Sequence, residues 1–420
     1  MLSSSFKKLI GNFLSLSGVR IISYLFPLIS MPYLIITLGP EKFGLIIFAQ
    51  TICAYFVLFV DYGFSLSATK DIAKNVDDNE HINIIFTSVI VSKCIIAVVG
   101  YIILHLVISY FDKFNGDYWI YMSSYGVVLG NVMFPVWYFQ GIEKMHNVAF
   151  FNILPKLIFL ILLFFVVKQE SDYFYVPLIL SLGSICSGVV SFLYSLRLGV
   201  CLVKVSLKDI QQQFSKGWHV FIGMVSSGFA SNSILLFLGL LTNNTTLGLY
   251  SAIDKIIQPI STLSITVLNV IYPHMIKMRE AGAKSPTLFS LKVSILYVTI
   301  LSILSFIFLM FANEIIVVVF GSEYMVSSDI LNVLIFLPII TAFLNIFLIP
   351  NCLVFDYSKA YGKILFAVFL ISLCISPLVI NLFGMVGAAV SAILVELIKV
   401  LAISIFLFVS RANFKARQKI

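Results

Sequence analysis

Ionisable side chains inside long apolar segments are the residues of this sequence best suited to chemistry. Arg20, Lys93, Lys156, Asp254 and Lys255 each interrupt such a segment. An ionisable group at the centre of a bilayer costs about 3 kcal/mol on insertion scales, so it usually faces a water-filled cavity or a partner. Because cations outnumber anions among these residues, we predict that they line a cationic cavity that binds substrate.

The clearest pattern around these charges is a polar stripe that contains Lys255. Lys255 lies about eight residues into its apolar segment, which corresponds to a depth of roughly 12 Å at 1.5 Å per helical residue. Polar residues at i, i+4, i+7 and i+11 share one helix face, and here they are Ser251, Lys255, Gln258 and Thr262. We therefore expect this face to meet water or ligand.

The other cations have weaker contexts. Arg20 lies on a less polar helix face, and Lys156 shares a face with Asn152. Lys93 and Lys156 are close enough to the cytoplasmic surface for their side chains to snorkel to it. Substrate contact and snorkelling therefore both stay open for these two lysines, whereas Lys255 and Arg20 are the leading candidates for substrate contact.

The acidic residues have different expected roles. Asp254 points about 100° away from Lys255 on a helix, so it either pairs with a neighbouring helix or couples transport to an ion. Asp61 lies nearer the end of an apolar segment and is a candidate for ion coupling or gating. Glu396 and Lys399 are three residues apart, which favours a structural ion pair.

Motifs of enzymes and cofactor sites are missing from the sequence. There is no Gly-rich phosphate loop with a following lysine and no paired histidine motif. The six cysteines are scattered, so neither a disulfide framework nor a metal site is indicated. We predict a transporter and not an enzyme, without cofactor or metal, with an H⁺ or Na⁺ gradient as the candidate driving force.

The apolar segments that hold these residues are typical of membrane-spanning helices. The chain is 60% hydrophobic and 11% charged, with a mean hydropathy of +1.06, whereas soluble domains are about 25% charged. A helix needs about 20 apolar residues to cross a bilayer, which gives about twelve spans. The predicted spans are 13–38, 43–64, 83–109, 118–139, 149–168, 174–196, 217–241, 247–271, 292–313, 328–350, 361–381 and 386–409.

Basic residues are distributed asymmetrically between the predicted loops. One set of alternate loops, together with both termini, holds nineteen Lys and Arg residues and the opposite set holds three. By the positive-inside rule both termini are cytoplasmic and the number of spans is even. The net charge of +8 therefore reports topology, and no nucleic-acid partner is expected.

The hydrophilic stretch 197–216 divides the chain near its middle. Phe43-Gly44-Leu45 opens the second predicted span and Leu247-Gly248-Leu249 opens the eighth, which is a weak internal echo. Parallel repeats of six helices are a common transporter plan. We therefore predict an N-terminal lobe over 1–205 and a C-terminal lobe over 206–420.

Several segments together resemble the Wzx-type flippases of polysaccharide repeat units, which belong to the multidrug/oligosaccharidyl-lipid/polysaccharide exporter superfamily. The resemblance covers essentially the whole chain. It is carried by Phe26 to Leu34, by Leu38 to Gly44, by the segment from Asp61 to Ala73 (DYGFSLSATKDIA), by the segment from Pro135 to Met145 (PVWYFQGIEKM), by Gly248 to Ile256, by Phe320 to Tyr324 and by Gly384 to Glu396.

The resemblance implies an all-α integral membrane protein of about twelve helices in two six-helix lobes around a central cavity. It also implies that undecaprenyl-diphosphate-linked oligosaccharide, such as an O-antigen repeat unit, is loaded at the cytoplasmic leaflet of the bacterial inner membrane and released at the periplasmic leaflet by alternating access. A polysaccharide polymerase and a chain-length regulator are the candidate protein partners. The sugar composition is not implied.

Two other functions remain open on the sequence. A cation-coupled exporter of drugs or other small molecules in the same superfamily would be expected to carry isolated acids in its cavity instead of an excess of cations. A membrane-embedded polymerase or glycosyltransferase would be expected to have long periplasmic loops, and the longest predicted one has about a dozen residues.

Overall fold

The computed structural model describes residues 4–114, 116–281 and 286–417, and it describes their side chains except at 4–25, 27, 28, 226, 227, 230, 231, 322, 323 and 411–417. Within these ranges the α-helices are formed by the apolar segments and by polar residues that adjoin them. No β-strand occurs in these ranges. Helices satisfy their own backbone groups, which lipid cannot do.

Up to residue 241, the described part of the chain forms nine α-helices. They are α1 (Ser4–Asp61), α2 (Phe64–Lys74), α3 (Asn79–Tyr110), α4 (Tyr118–Ser124), α5 (Gly126–Met133), α6 (Val136–Gly141), α7 (Met145–Val166), α8 (Tyr175–Arg197) and α9 (Leu207–Leu241). Short 3₁₀ helices, Asp112–Phe114 and Glu170–Phe174, precede α4 and α8.

The second half continues with α10 (Asn244–Glu280), α11 (Pro286–Met310), α12 (Ala312–Phe320), α13 (Ser328–Leu334), α14 (Leu337–Phe343), α15 (Ile349–Val354) and α16 (Ser358–Arg417). A π-helical turn, Leu344–Leu348, joins α14 to α15. The predicted tenth span is therefore a run of short helices and not one regular helix.

Two of these helices are each a pair of helices joined at a glycine. α1 has 58 residues and α16 has 60, far more than the roughly 20 that cross a bilayer. Gly39 (φ 70°, ψ 171°) and Gly384 (φ 56°, ψ −128°) leave the helical conformation at the junctions. Glycine adopts positive φ without a steric penalty, and both glycines fall in the predicted gaps between spans.

The helices agree with about twelve membrane spans. Eight continuous helical segments within the described residues are long and apolar enough to cross a membrane. The remaining predicted spans lie on the first part of α1, on the composite of α4 to α6, on α9 and on one of the two parts of α16. The predicted all-α membrane fold is confirmed.

The start of α9 is fixed by a local capping arrangement. The backbone N–H and the hydroxyl of Ser206 both donate to Oδ2 of Asp209, at 2.8 and 2.7 Å. These hydrogen bonds lower the pKa of Asp209, because they stabilise its charged form. Helix α9 therefore begins at a defined residue within the hydrophilic stretch 197–216.

The chain forms two compact units, residues up to Gly228 and residues from Phe229 onward. The boundary between these two units lies inside α9, after the predicted lobe boundary at 205/206. The reason is that the first part of α9 packs on the end of α1. The rings of Tyr62 and Phe221 stack with centroids 4.4 Å apart, and Gly217 lies directly against the Tyr62 carbonyl.

Candidate functional site

Lys93 is the most deeply buried ionisable residue among the described cations of the first unit. It lies on α3 and is 1% exposed. Its Nζ has three oxygen atoms within 3.3 Å, which are Oδ1 of Asp61 and both the carbonyl oxygen and Oδ1 of Asn131. The Trp137 ring also lies close, with its centroid 4.8 Å from Nζ. A lysine ammonium has three N–H donors, and each therefore has an acceptor nearby.

The partners of Lys93 belong to a broken helix. α5 ends at Met133 and α6 begins at Val136. Pro135 stands at the break and cannot donate the N–H that a continuous helix would direct at the carbonyl four residues earlier. That carbonyl belongs to Asn131, which accepts instead from Phe134 N and from Lys93 Nζ, both at 3.3 Å.

The two segments 61–73 and 135–145, on which the family resemblance partly rests, meet in the first unit. The hydroxyl oxygen of Thr69 lies 3.2 Å from the carbonyl oxygen of Trp137 and 3.3 Å from Oε1 of Gln140. A Cβ on Gly141 would lie 2.6 Å from Ile72, so only glycine permits the approach of α2 and α6. The sequence did not indicate that these segments are in contact.

The contact between these segments extends to α9. Lys216 Nζ lies 2.6 Å from Oδ2 of Asp71. Both residues lie on the predicted cytoplasmic side, with side chains 34% and 20% exposed. An ion pair exposed to this degree contributes about 1 kcal/mol or less. It adds to the packing of Tyr62 and Phe221 in holding α9 on the first unit.

A cavity of about 150 Å³ lies within the first unit among α1, α5, α7 and α8. Asn131 and Asn152 are on its wall, together with Pro155 and Ser187. Ser187 donates to the Phe151 carbonyl at 2.5 Å. Lys156 follows Pro155 on α7 and is half-buried. The structure thus brings Asn152 and Asn131 together, and Lys156 lies beside this wall.

The predicted polar stripe of the second unit lies along α10. Lys255 is half-buried and Gln258 is exposed. Ser251 is fully buried and its hydroxyl donates to the Leu247 carbonyl at 2.6 Å, so that proton is already used within the helix. No described carboxylate lies within ion-pair distance of Lys255 Nζ.

Asp254 is the neighbour of Lys255 and lies inside the second unit at 5% exposure. Its Oδ2 has no hydrogen-bond partner among the described residues. No group of three His, Cys, Asp or Glu side chains comes together as a metal site in the described part of the chain.

The last predicted pair lies on α16. Lys399 Nζ is 2.6 Å from Oε1 of Glu396, with side chains 19% and 17% exposed. Its structural role stays a prediction. Arg20 lies on the first part of α1, and its side chain is outside the described residues. The predicted role of Arg20 in substrate contact therefore also stays a prediction.

Sequence reasoning missed the partners of Lys93. Asn131 and Trp137 were not among the predicted site residues, and Asp61 was predicted to act in ion coupling or gating. The available signal is Pro135, because a proline four residues after Asn131 leaves that carbonyl without its helical donor. A buried lysine is one of few groups that can replace such a donor in an apolar environment.

Residues 9–279 match the protein family described as polysaccharide biosynthesis protein. A relative from Escherichia coli strain K12, assigned as an O-antigen transporter, is 31% identical over 394 residues, which cover 92% of this chain and 93% of the relative.

Solved structures resemble the chain along nearly its whole length. The lipid II flippase MurJ in its inward closed conformation gives a TM-score of 0.69 at 13% identity and covers 95% of this chain and 87% of that chain. An inward-facing multidrug resistance transporter of the MATE family, in the MOP superfamily, gives 0.64 at 12% identity and covers 96% and 98%. These two likenesses show the fold. Since the family match spans more than half of the sequence and the E. coli relative aligns almost end to end, the chain belongs to the polysaccharide biosynthesis protein family.

Proposed function

We propose that this protein is a flippase that moves undecaprenyl-diphosphate-linked oligosaccharide from the cytoplasmic to the periplasmic leaflet of the inner membrane by alternating access. The observation that carries the proposal is the 31% identity with the E. coli protein assigned as an O-antigen transporter, over 92% of this chain. The likeness of the fold to a lipid II flippase agrees with it. Both termini would lie in the cytoplasm.

Lys255 is the residue we propose for contact with the substrate diphosphate. Its helix is apolar enough to span the membrane, and among the described residues no carboxylate pairs with it. A diphosphate brings the negative charge that such a lysine lacks, and ammonium groups bind phosphate well. Gln258, one turn away, offers hydrogen bonds to the sugar, while Arg20 and Lys156 are the proposed additional cations.

Asp254 is the residue we propose for coupling transport to an H⁺ or Na⁺ gradient. Its carboxylate is buried and Oδ2 has no hydrogen-bond partner among the described residues. A proton or a monovalent cation would satisfy that oxygen. Polysaccharide polymerase and chain-length regulator are the proposed protein partners, since they would use the repeat units after release.

The first test is deletion of the gene followed by complementation. We expect the deletion to abolish surface polysaccharide and to accumulate lipid-linked repeat units on the cytoplasmic leaflet. Unchanged polysaccharide, or a drug-sensitive phenotype alone, would refute the flippase and favour an exporter of small molecules.

The second test asks which variants of the protein restore surface polysaccharide to the deletion strain. Lys255→Ala is expected to lower polysaccharide at least tenfold at normal protein amount, and Arg20→Ala to lower it as well. Lys359→Ala is the matched control, because Lys359 is an exposed lysine of the same unit near the start of α16. Full complementation by Lys255→Ala would remove Lys255 from the proposed mechanism.

A further inference from the structure

The break between α5 and α6 leaves a polar group that the membrane interior cannot satisfy. Pro135 has no N–H, so Asn131 loses the donor that its carbonyl would have in a continuous helix. Phe134 N bends back to this carbonyl at 3.3 Å. The carbonyl has a second lone pair, and lipid offers no donor for it. The only described side chain that reaches it is Lys93, at 3.3 Å.

The ammonium of Lys93 suits this position for a second reason. The C-terminal end of a helix carries a partial negative charge, which a cation stabilises. Lys93 Nζ lies at the end of α5, and it is bonded both to the Asn131 carbonyl and to the Asn131 side-chain oxygen, the latter at 3.2 Å. Lys93 therefore caps the end of α5 by binding two oxygen atoms of the same residue, Asn131.

The charge of Lys93 is balanced where it stands. Oδ1 of Asp61, from the end of α1, lies 3.3 Å from Nζ, and the Trp137 ring of α6 faces it at 4.8 Å. Four helices thus meet at one nitrogen atom. Since Lys93 is 1% exposed and three oxygens surround its three N–H groups, no N–H remains to bind a diphosphate in this conformation.

We infer that Lys93 is a positioning residue that replaces the missing N–H of Pro135, and that with Asp61 it locks the end of α1 to the broken helix α5–α6. Its charge is held for this purpose and not for the substrate. The inference rests on the proposed function only for the transport readout, since the assembly of the first unit is measured on the purified protein.

The inference is tested with Asp61→Asn, Lys93→Met and the double variant that carries both changes. Asp61→Asn leaves a buried lysine without a counter-charge, and Lys93→Met leaves a carboxylate without its cation. Removing one partner of a buried ion pair is much more damaging than replacing both. We expect each single variant to lower the melting temperature in detergent by more than 5 °C, and the double variant to recover at least half of that loss.

Transport separates positioning from substrate binding. In proteoliposomes supplied with undecaprenyl-diphosphate-linked oligosaccharide, the double variant is expected to transport several-fold faster than Lys93→Met, with the half-saturating substrate concentration within twofold of wild type. A double variant that folds but transports no better than Lys93→Met, with a half-saturating concentration raised tenfold or more, would show that Lys93 binds the substrate and would overturn the inference.

A further variant keeps the test decisive if the single variants do not fold. Pro135→Ala restores a backbone N–H that can donate to the Asn131 carbonyl. In this background Lys93→Met is expected to lower the melting temperature by a smaller amount than in wild type, because the carbonyl no longer depends on the ammonium. An equal loss in both backgrounds, or a Lys93→Met change that prevents folding in the Pro135→Ala background as it does in wild type, would refute the capping of α5 by Lys93.

A failure of the proposed function leaves a distinct signature. If the protein does not flip lipid-linked oligosaccharide, wild type and all variants are inactive in the transport assay, while the melting temperatures still follow the pattern above. If only the inference fails, wild type transports and the melting temperatures do not recover in the double variant.

Discussion

Lys93 in the first unit and Asp254 in the second are both buried ionisable side chains on apolar helices, 1% and 5% exposed. Nζ of Lys93 has three oxygens within 3.3 Å, whereas Oδ2 of Asp254 has no hydrogen-bond partner among the described residues. An unsatisfied buried polar atom costs about 1–3 kcal/mol. The surroundings of Lys93 stabilise a buried charge, whereas those of Asp254 leave one carboxylate oxygen unsatisfied at a cost in free energy.

The largest expected effect is on transport, for Asp254→Asn. The amide has nearly the same shape but cannot take up a proton or pair with a cation in the same way. We expect transport to fall at least tenfold, while the melting temperature in detergent stays the same or rises, since a neutral amide is less costly to bury than a carboxylate. Polysaccharide complementation and thermal unfolding of purified protein measure the two effects.

Glu280→Gln is the matched control for this change, because Glu280 is an exposed acid at the end of the same helix, α10. It is expected to complement fully. If Asp254→Asn transported normally, Asp254 would have no part in coupling and its unsatisfied oxygen would need another explanation.

The second largest effect is expected for Gly130→Ala, which should lower the stability of the first unit. A Cβ on Gly130 would lie 2.4 Å from the Ser184 carbonyl carbon, so α5 must move away from α8. Overpacking of this kind costs about 1–3 kcal/mol, and it also displaces the adjacent Asn131 from Lys93. We expect a lower melting temperature and less folded protein in detergent.

Gly223→Ala is the control for Gly130→Ala. A Cβ on Gly223 meets nothing within 4 Å, and alanine favours a helix over glycine by about 1 kcal/mol. The melting temperature of this variant should be unchanged or higher. Equal destabilisation by both changes would show that the close approach of α5 to α8 does not decide the stability of the first unit.

A smaller effect is expected for Trp137→Phe. Tryptophan is the best aromatic partner of a cation, and such an interaction contributes about 0.5–1 kcal/mol at ordinary sites. The change also removes the indole Nε1, which is buried without a partner among the described residues, and this partly offsets the loss. We expect a decrease of about 1 kcal/mol or less in the free energy of unfolding, measured by denaturation in detergent.

Trp119→Phe is the corresponding control, because Trp119 is 78% exposed and does not contact a described cation through its ring. It should leave stability unchanged. A loss of several kcal/mol for Trp137→Phe would mean that the ring, and not the oxygens of Asp61 and Asn131, holds Lys93 in place.

The membrane helices followed from the sequence because length and apolar composition decide them locally. The predicted gaps after residues 38 and 381 coincide with Gly39 and Gly384, since glycine is the residue that permits the required backbone angles. The broken tenth span was harder to predict from the sequence. Its π-helical turn at Leu344–Leu348 depends on packing between helices, which a single apolar segment does not encode.

The candidate site was predictable only in part, because hydropathy reports depth and not distance between helices. The positions of Lys93 and Asp61 were identified as unusual from the sequence, but their ion pair joins two separate helices, α1 and α3, whose packing the sequence does not give. Ser251 was expected to face water or ligand, and instead it is buried and bonded to its own helix. A hydroxyl can satisfy itself on the preceding turn, so serine is a weak indicator of a cavity.

The smallest effect on stability is expected for Glu396→Gln. This change tests whether an ion pair within one helix contributes less than the buried site around Lys93. The pair with Lys399 lies within one helix at 2.6 Å and is nearly one-fifth exposed, and i,i+3 pairs contribute about 0.2–0.5 kcal/mol. Oε2 of Glu396 is already without a hydrogen-bond partner among the described residues. The neutral amide therefore removes the cost of burying this charged oxygen as well as the attraction to Lys399. We expect the free energy of unfolding to change by less than about 1 kcal/mol. A loss as large as that of Asp61→Asn would show that an ion pair between adjacent turns of one helix stabilises the protein as much as the Asp61–Lys93 pair, which joins two helices. The distinction between a local pair and the site around Lys93 would then not hold.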